Sequence, residues 1–470
     1  MIVTHVPTSV RRPGAFSEFD FTSGAQSLIP VAARVVIVAE KTAAGTAVIE
    51  TPVQIFGAAD GDTKLGTGSI AAIMARTAFL QGQFSGASPE VWACPLAEPG
   101  GGTATAETLT VTGPATEAGN IELQIAGRTI IVGVSNGDSA NTIAAAIKSA
   151  LDAVKSSIPF TAAVVGAVVT ATCTTKGVNG NDPKWLVNKK PAGVGVALAQ
   201  SVAGAGVATI ANALAALYDK RYQAVAISNH TTTDIAALIV ERLTSWSYDQ
   251  RNYRFFFVGE NSTLGTAQTL QAAGNDYGII VTSCEQTGSL PGELAVVTAV
   301  AEFSRAAPNA NLDGEMVAIY PPPASYVFTA AEVESALNGG VTPLTSQGSW
   351  MQIERLVTSQ ISYNSAPFEA VRDIAYPRTS AALAEQIEIN YSTKFKQAVN
   401  DEDFKDRVRD MVIGVQRAFE ANKWIKDVNT FLGQIQVEDA VGVAGRVNIS
   451  DPHRVAGPVH QAVTVHTMYQ

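Results

Sequence analysis

A strand–helix alternation that breaks off and later resumes constrains this chain more than any other feature. 'ARVVIVAEK' (33–41) is a short apolar run of buried-strand character, and 'AVIETPVQIFG' (47–57) is a second extended piece. In 'SIAAIMARTAFLQGQ' (69–83) Ile70, Ile73, Met74, Ala78 and Leu80 fall at near-helical spacing, and 'VWACPL' behind them is a strand. At 'AEPGGGTATAETLTV' the composition turns. Pro99 and three successive glycines make a joint, expected to be flexible, and the chain beyond is rich in Thr, Val, Ala and Gly. 'NIELQIAGRTIIVGV' predicts a hairpin about Ala126-Gly127. Ser139 predicts the cap of a helix with Ile143, Ala146, Ile147, Ala150, Leu151 and Val154 on one face. 'FTAAVVGAVVTATC' predicts strands joined at Gly166. Helix-and-strand units then return with 'IANALAALYDKRYQAVAISN', with 'DIAALIVERLTSWSYD' and 'NYRFFFVG', and with 'AAGNDYGIIVTSCE', before the helix 'GELAVVTAVAEFSRAAP'. The pattern predicts a discontinuous central α/β domain, 25–102 plus 201–345, with a β-rich domain inserted at 103–200.

From about 346 the pattern changes again, to an α+β domain expected to run to 458. 'WMQIERLVTSQISY' is extended, and 'AYPRTSAALAEQIEINYSTKF' is helical after a Pro377 start. The strongest helix covers 401–427: Asn400 is placed to cap it, acidic residues fill its first turn and basic ones its end. Phe404, Val408, Met411, Val415 and Phe419 follow steps of three and four. 'GQIQVEDAVGVAGRVNIS' returns to strand.

Both ends of the sequence are strand-like and set apart by Pro/Gly breaks. Residues 1–24 are polar and turn at Pro13-Gly14. Within 459–470 the chain alternates from Ala462 onward, with Ala462, Thr464, His466 and Met468 on one side and Val463, Val465, Thr467 and Tyr469 on the other. Pro452, Gly457 and Pro458 detach this strand from what precedes it. A lone strand is not stable in water and needs a sheet to join.

Chemistry is hard to find. The net charge of −10 comes without any basic cluster, which argues against a nucleic-acid partner. Cys94, Cys173 and Cys284 form no CxxC pair, which fits a reducing compartment during folding. No apolar stretch is long enough to span a membrane, and the N-terminal residues lack the apolar core of a secretion signal. Gly204 and Gly206 precede a helix as in a dinucleotide loop, but Thr209 stands where the third glycine belongs. Gly61 and Gly66 are spaced as in a phosphate loop, with Thr67 in place of the lysine, so this stretch predicts a loop before a helix. Ser283-Cys284 follows a strand without the GxSxG elbow. His5, His230, His453, His460 and His466 make no metal motif, and Glu293, Glu302 and Glu315 have no visible paired carboxylate. The sequence thus predicts no catalytic residue, no cofactor and no metal.

Taken in order, several pieces resemble the tail sheath proteins of contractile phage tails, in particular those of Mu-like myophages. 'RRPGAFSEFD' is similar to the Pro-Gly-aromatic start of that family. The stretch 'ETLTVTGPATEAGNIELQIAGRTIIVGV' to 'TTKGVNGND' resembles its outer β-rich domain. 'LPGELAVVTAVAEFSRAAPNANLDGEMVAI' with 'ESALNGGVTPLT' resembles its central block, and 'AYPRTSAALAEQIEINYSTKF' also fits. The resemblance implies a structural, non-enzymatic virion protein made in the host bacterial cytoplasm. It implies a helical homopolymer of hexameric rings around an inner tail tube protein, with baseplate and terminator proteins at the ends. Contraction would drive the tube through a bacterial envelope for genome ejection. It further implies that both arms add strands to neighbouring subunits. Those arms are Val10, Arg11, Arg12, Pro13, Gly14, Ala15 and Phe16 at one end and Ala462, Val463, Thr464, Val465, His466, Thr467, Met468 and Tyr469 at the other. The 346–458 domain would face the tube, with Lys405, Arg409, Arg417 and Lys423 as candidate tube contacts. The competing readings are an α/β nucleotide-binding enzyme using Gly204 and Gly206, and a secreted β-rich surface protein.

Overall fold

The apolar runs become the middle of one large sheet. The computed structural model describes residues 28–460 except 30, 219, 349, 397–398 and 444–445. Of the arms expected at 1–24 and 459–470, only Val459 and His460 are among the described residues. Two units are distinguishable. One comprises Ala32–Pro377 with the chain from Val459 on, and the other Arg378–Pro458 with the chain up to Val31.

The larger unit begins with β1 (Arg34–Glu40), β2 (Val53–Ile55), α1 (Ala58–Leu65), α2 (Ile70–Phe84) and β3 (Glu90–Leu96). The insert follows as β4 (Ala106–Thr112), β5 (Gly119–Ile125), β6 (Arg128–Val134), α3 (Ala140–Ala153), β7 (Phe160–Val165), β8 (Val168–Cys173), β9 (Trp185–Lys189) and β10 (Gly195–Val202). The first pattern then returns with α4 (Ala211–Ala215), β11 (Ala224–Ile227), α5 (Thr232–Ser245), β12 (Phe255–Glu260), α6 (Leu264–Gly274), β13 (Ile279–Ser283) and α7 (Pro291–Phe303). It closes with β14 (Met316–Val317), α8 (Ala330–Asn338), β15 (Val341–Gln347), β16 (Trp350–Ile353) and the small hairpin β17 (Ser362–Tyr363) and β18 (Ala366–Pro367).

Among the described residues the large sheet runs β14-β16-β15-β13-β12-β11-β1-β3-β2. Pairing is parallel from β15 through to β3 and antiparallel only at the two edges. A parallel sheet is covered on both faces, which is why 'FFFV' of β12 is apolar without alternation. Val36, Val38, Val225, Ile227, Phe256 and Val258 face α4, α5, α6 and α8 in one buried cluster. Phe255 and Phe257 point the other way and meet Phe303 of α7, with ring centroids 6.1 and 6.4 Å apart. Every residue of α7 is buried.

The insert keeps its own core. Two sheets, β10-β4-β8-β7 and β6-β5-β9, enclose α3 about Leu109, Ile121, Leu123, Ile147, Leu151, Phe160 and Val169. The hairpin turn falls at Ala126 (φ 47°) and Gly127 (φ 75°), and Ser139 caps α3 by accepting from Thr142 N.

Three expectations are corrected. Residues 58–65 are a helix rather than a loop, and Gly66 ends it at φ 87°. The expected domain boundary near 346 falls inside the β15–β16 hairpin, whose pairing continues the large sheet, and the units part instead at Pro377/Arg378. The third concerns the smaller unit, which holds most of α9 (Ala375–Lys394), then α10 (Glu402–Ala421), β19 (Ile425–Lys426), α11 (Val428–Phe431), β20 (Gln436–Asp439), β21 (Val447–Ser450) and β22 (Arg454–Val455). Helix α10 is capped by Asp401, whose carboxylate accepts from Phe404 N at 2.7 Å, while Asn400 instead reaches Asp439. It stops at Ala421 because Lys423 takes φ 62°, so the expected basic end lies past the helix. Phe404, Val408, Met411, Val415 and Phe419 do form this unit's core, with Leu383, Ile425 and Ile435.

Candidate functional site

In an open parallel sheet, chemistry gathers at the crest, where strand order reverses beyond the carboxyl ends. Here the reversal lies between β1 and β11. From β1 the chain moves outward to β3 through α1 and α2, and from β11 it moves the other way to β12 through α5. The insert itself fills that position. Its 3-10 turn Val178–Asn181 brings Asn179 between the strand ends, where Nδ2 donates to Glu40 Oε1 at 2.8 Å and to Asn229 Oδ1 at 3.0 Å. Ser228 donates to the other Glu40 oxygen at 3.0 Å, and Asn229 donates to Ala208 O and Asp234 at 2.8 and 3.2 Å. Beside them Asp182 Oδ1 stands 3.6 Å from His230 Nε2.

Burial dominates the electrostatics of this crest. It raises the Glu40 carboxyl against the hydrogen bonds from its own backbone, Ser228 and Asn179. It pushes the Asp182 carboxyl up to about 6, with the His230 charge opposing. For His230 burial works downward, but the charges of Asp182 and Glu260 outweigh it and the imidazole is raised. What forms is a hydrogen-bonded plug that seals the crevice.

The glycines that resemble a dinucleotide loop belong to the neck of the insert. A Cβ on Gly204 would lie 2.3 Å from Gly177 O, so the crossing chains need its absence. The joint expected to be flexible is closed. Thr103 and Ala205 exchange backbone hydrogen bonds of 3.0 and 3.2 Å, and Val178 N donates to Gly206 O at 2.9 Å. The remaining candidates are equally committed. Burial pushes the Cys284 thiol up to about 12, far from a nucleophile's range. Glu293 caps α7 by accepting from Leu290 N at 2.9 Å and takes a second bond from Thr77 at 2.7 Å. Glu315 pairs with Arg305, and Glu302 is buried in α7.

At the other end of the larger unit, the last described residue holds a defined place. His460 Nδ1 lies 2.6 Å from Asp313 Oδ2, and its Nε2 lies 2.6 Å from Asp373 Oδ2. Asn311 Nδ2 reaches the Val459 carbonyl at 3.4 Å. The sequence leaves His460 on the terminal strand, on a solvated face or at a subunit contact, with the solvated face favoured. The structure turns it onto its own unit.

Comparison with known proteins assigns this architecture. Residues 203–359 match the phage tail sheath protein central domain. The Mu-like prophage FluMu tail sheath protein of Haemophilus influenzae is 24% identical over 362 residues, 75% of this chain and 73% of that one. The matched stretch is similar to the phage tail sheath central domain, and the relative is similar over most of the chain. The sheath tail protein of Desulfitobacterium hafniense shares the fold at a TM-score of 0.53, with 15% identity, over 94% of this chain and 97% of that one. A chain in the anti-feeding prophage baseplate does so at 0.51, with 12% identity, over 98% and 100%. The matched sheath domain runs from the exit of the insert to just past β16, so it covers the resumed α/β half. A sheath protein of this family is a structural phage-tail component, which accords with a crest sealed by side chains.

The four candidate tube contacts lie on α10 or just past its end. Lys405 bonds Asp439 at 3.1 Å, and Arg409 donates to the Ile435 and Leu432 carbonyls, each at 3.1 Å, so both are held against their own unit. Arg417 and Lys423 are exposed. Candidate residues Val10 to Phe16 and Ala462 to Tyr469 lie outside the described residues. Sequence reasoning missed Asn179, Asp182 and the two aspartates around His460. 'GVNGND' shows a turn, but nothing local reveals which distant strand end that turn covers.

Proposed function

We propose that this protein is the subunit of a contractile sheath, polymerised as stacked hexameric rings around an inner tail tube in the virion. Contraction of the sheath drives the tube through a bacterial envelope and leads to genome ejection. The carrying observation is a sheath central domain whose ligand crevice is occupied by the chain's own insert. The two arms add strands to neighbouring subunits, since main-chain pairing tethers partners while they rotate. The insert at 103–200 is the outer domain, and the smaller unit faces the tube through Arg417 and Lys423. Baseplate and terminator proteins close the ends.

Negative-stain microscopy of the purified protein tests this reading. Hollow tubes of stacked rings are expected, and a strictly monomeric species that binds nucleotide would overturn it. Deleting Val459 to Gln470 should leave a folded chain that no longer polymerises. Global unfolding of that truncation would instead assign the strand to its own core.

A further inference from the structure

The side chain of His460 sits between two carboxylates with both ring nitrogens engaged, each at 2.6 Å. A neutral imidazole carries one N–H and one lone pair, whereas ionised carboxylates only accept. Two hydrogen bonds among these three groups therefore need one proton more than a neutral histidine and two carboxylates supply. The proton can reside on the ring or on a carboxyl, and the count is the same. Without it a ring lone pair faces a carboxylate oxygen at hydrogen-bond distance. The surroundings hold the arrangement together. Asn311 bonds both Asp313, at 3.1 Å, and the Val459 carbonyl. Asp373 is fixed by Ala375 N at 3.0 Å on its other oxygen and has Arg355 at 3.7 Å. Glu302 of α7 lines the same small cavity, with Leu312, Leu356 and Ile374 completing the wall. The charged groups facing the ring thus come from α7, the loop after it and the segment on either side of β17 and β18.

We propose that His460 is a proton-dependent clasp that fixes where the C-terminal segment leaves the larger unit. It is a positioning residue. One proton closes the clasp, and its loss as pH rises opens it, releasing His460, from which residues 461–470 continue. This deepens the reading of those residues as an inter-subunit strand, because a strand addition needs a fixed starting point and a known direction. The clasp itself is a property of the single chain.

The test uses the dispersed full-length chain with a dye on a cysteine added at the C-terminus, since Cys94, Cys173 and Cys284 are buried. Fluorescence anisotropy reports tail mobility from acidic to alkaline pH. The unaltered chain should pass from a held to a free tail, with a held-to-free ratio changing about tenfold per pH unit through the transition. His460→Ala should be free throughout. Asp373→Asn is the discriminating variant. Its amide oxygen can keep the Ala375 bond while its NH2 donates to the ring lone pair, so the tail should stay held at alkaline pH. A tail in Asp373→Asn that is released at the same pH as in the unaltered chain would overturn the proposal, as would a held tail in His460→Ala. The polymerisation reading fails or stands separately, by microscopy of the truncated chain.

Discussion

Two histidine–aspartate joints of this protein invite comparison. His230 faces Asp182 where the insert meets the sheet crest, and His460 faces Asp313 and Asp373 where the C-terminal segment departs. The first is one contact among many. Asn179, Ser228, Asn229, the Thr103–Ala205 bridge and the chain crossing at Gly204 all bind the same junction. The second rests on one ring and a 3.4 Å bond from Asn311 to the Val459 carbonyl. Redundancy makes the insert a fixed part of the larger unit, whereas a joint of so few bonds can open without disturbing the fold around it.

The comparison breaks most readily at the neck. Gly204→Ala places a methyl against the Gly177 carbonyl and should cost roughly 3 kcal/mol in denaturant unfolding, with protease cutting near residues 97–103. Full stability there would show that the neck is slack and the contrast false. Asn179→Ala comes next. It strips a buried donor from Glu40 and Asn229 and should cost about 2 kcal/mol, while tail anisotropy stays unchanged. Release of the tail by this variant would mean the joints are coupled.

The smallest effect is the pH dependence of the insert joint. The Asp182 carboxyl titrates near 6 in the folded chain against a usual 3.8, so the folded state holds more protons between those values. Stability therefore rises as pH falls through that window, and the raised His230 acts in the same direction just above it. Per pH unit within the window the gain should be about 1 kcal/mol. Asp182→Asn should flatten the slope in unfolding measurements, and an unchanged slope would place the titration elsewhere.

What the sequence made legible follows from how far each signal reaches. The Ala126-Gly127 hairpin, the Ser139 cap and the apolar stripe of α10 are decided within one element, and the structure has them. Helix α1 was hidden because Gly61 and Gly66 dilute a short, polar segment whose helicity depends on packing against α2. Asp401 and Asn400 are adjacent and both able to cap, and the choice was made by Asp439, which engages Asn400 from a distant strand. The crest and the clasp were out of reach for the same reason on a longer scale. Asn179 lies 139 positions from Glu40, and His460 lies 147 and 87 positions from its two aspartates. Periodicity identifies faces, but partners at such separations are fixed only by topology.

The insert enters and leaves the sheet through one hydrogen-bonded pair, Thr103 with Ala205. Its two ends are therefore already neighbours, and removing everything between them leaves a gap that a short turn can bridge. In evolutionary terms the insert has the ends of a cassette, whose loss or exchange would leave the parent sheet's register unchanged. One obligation passes to any replacement: something must still reach down and bond Glu40, or water will take the place of Asn179.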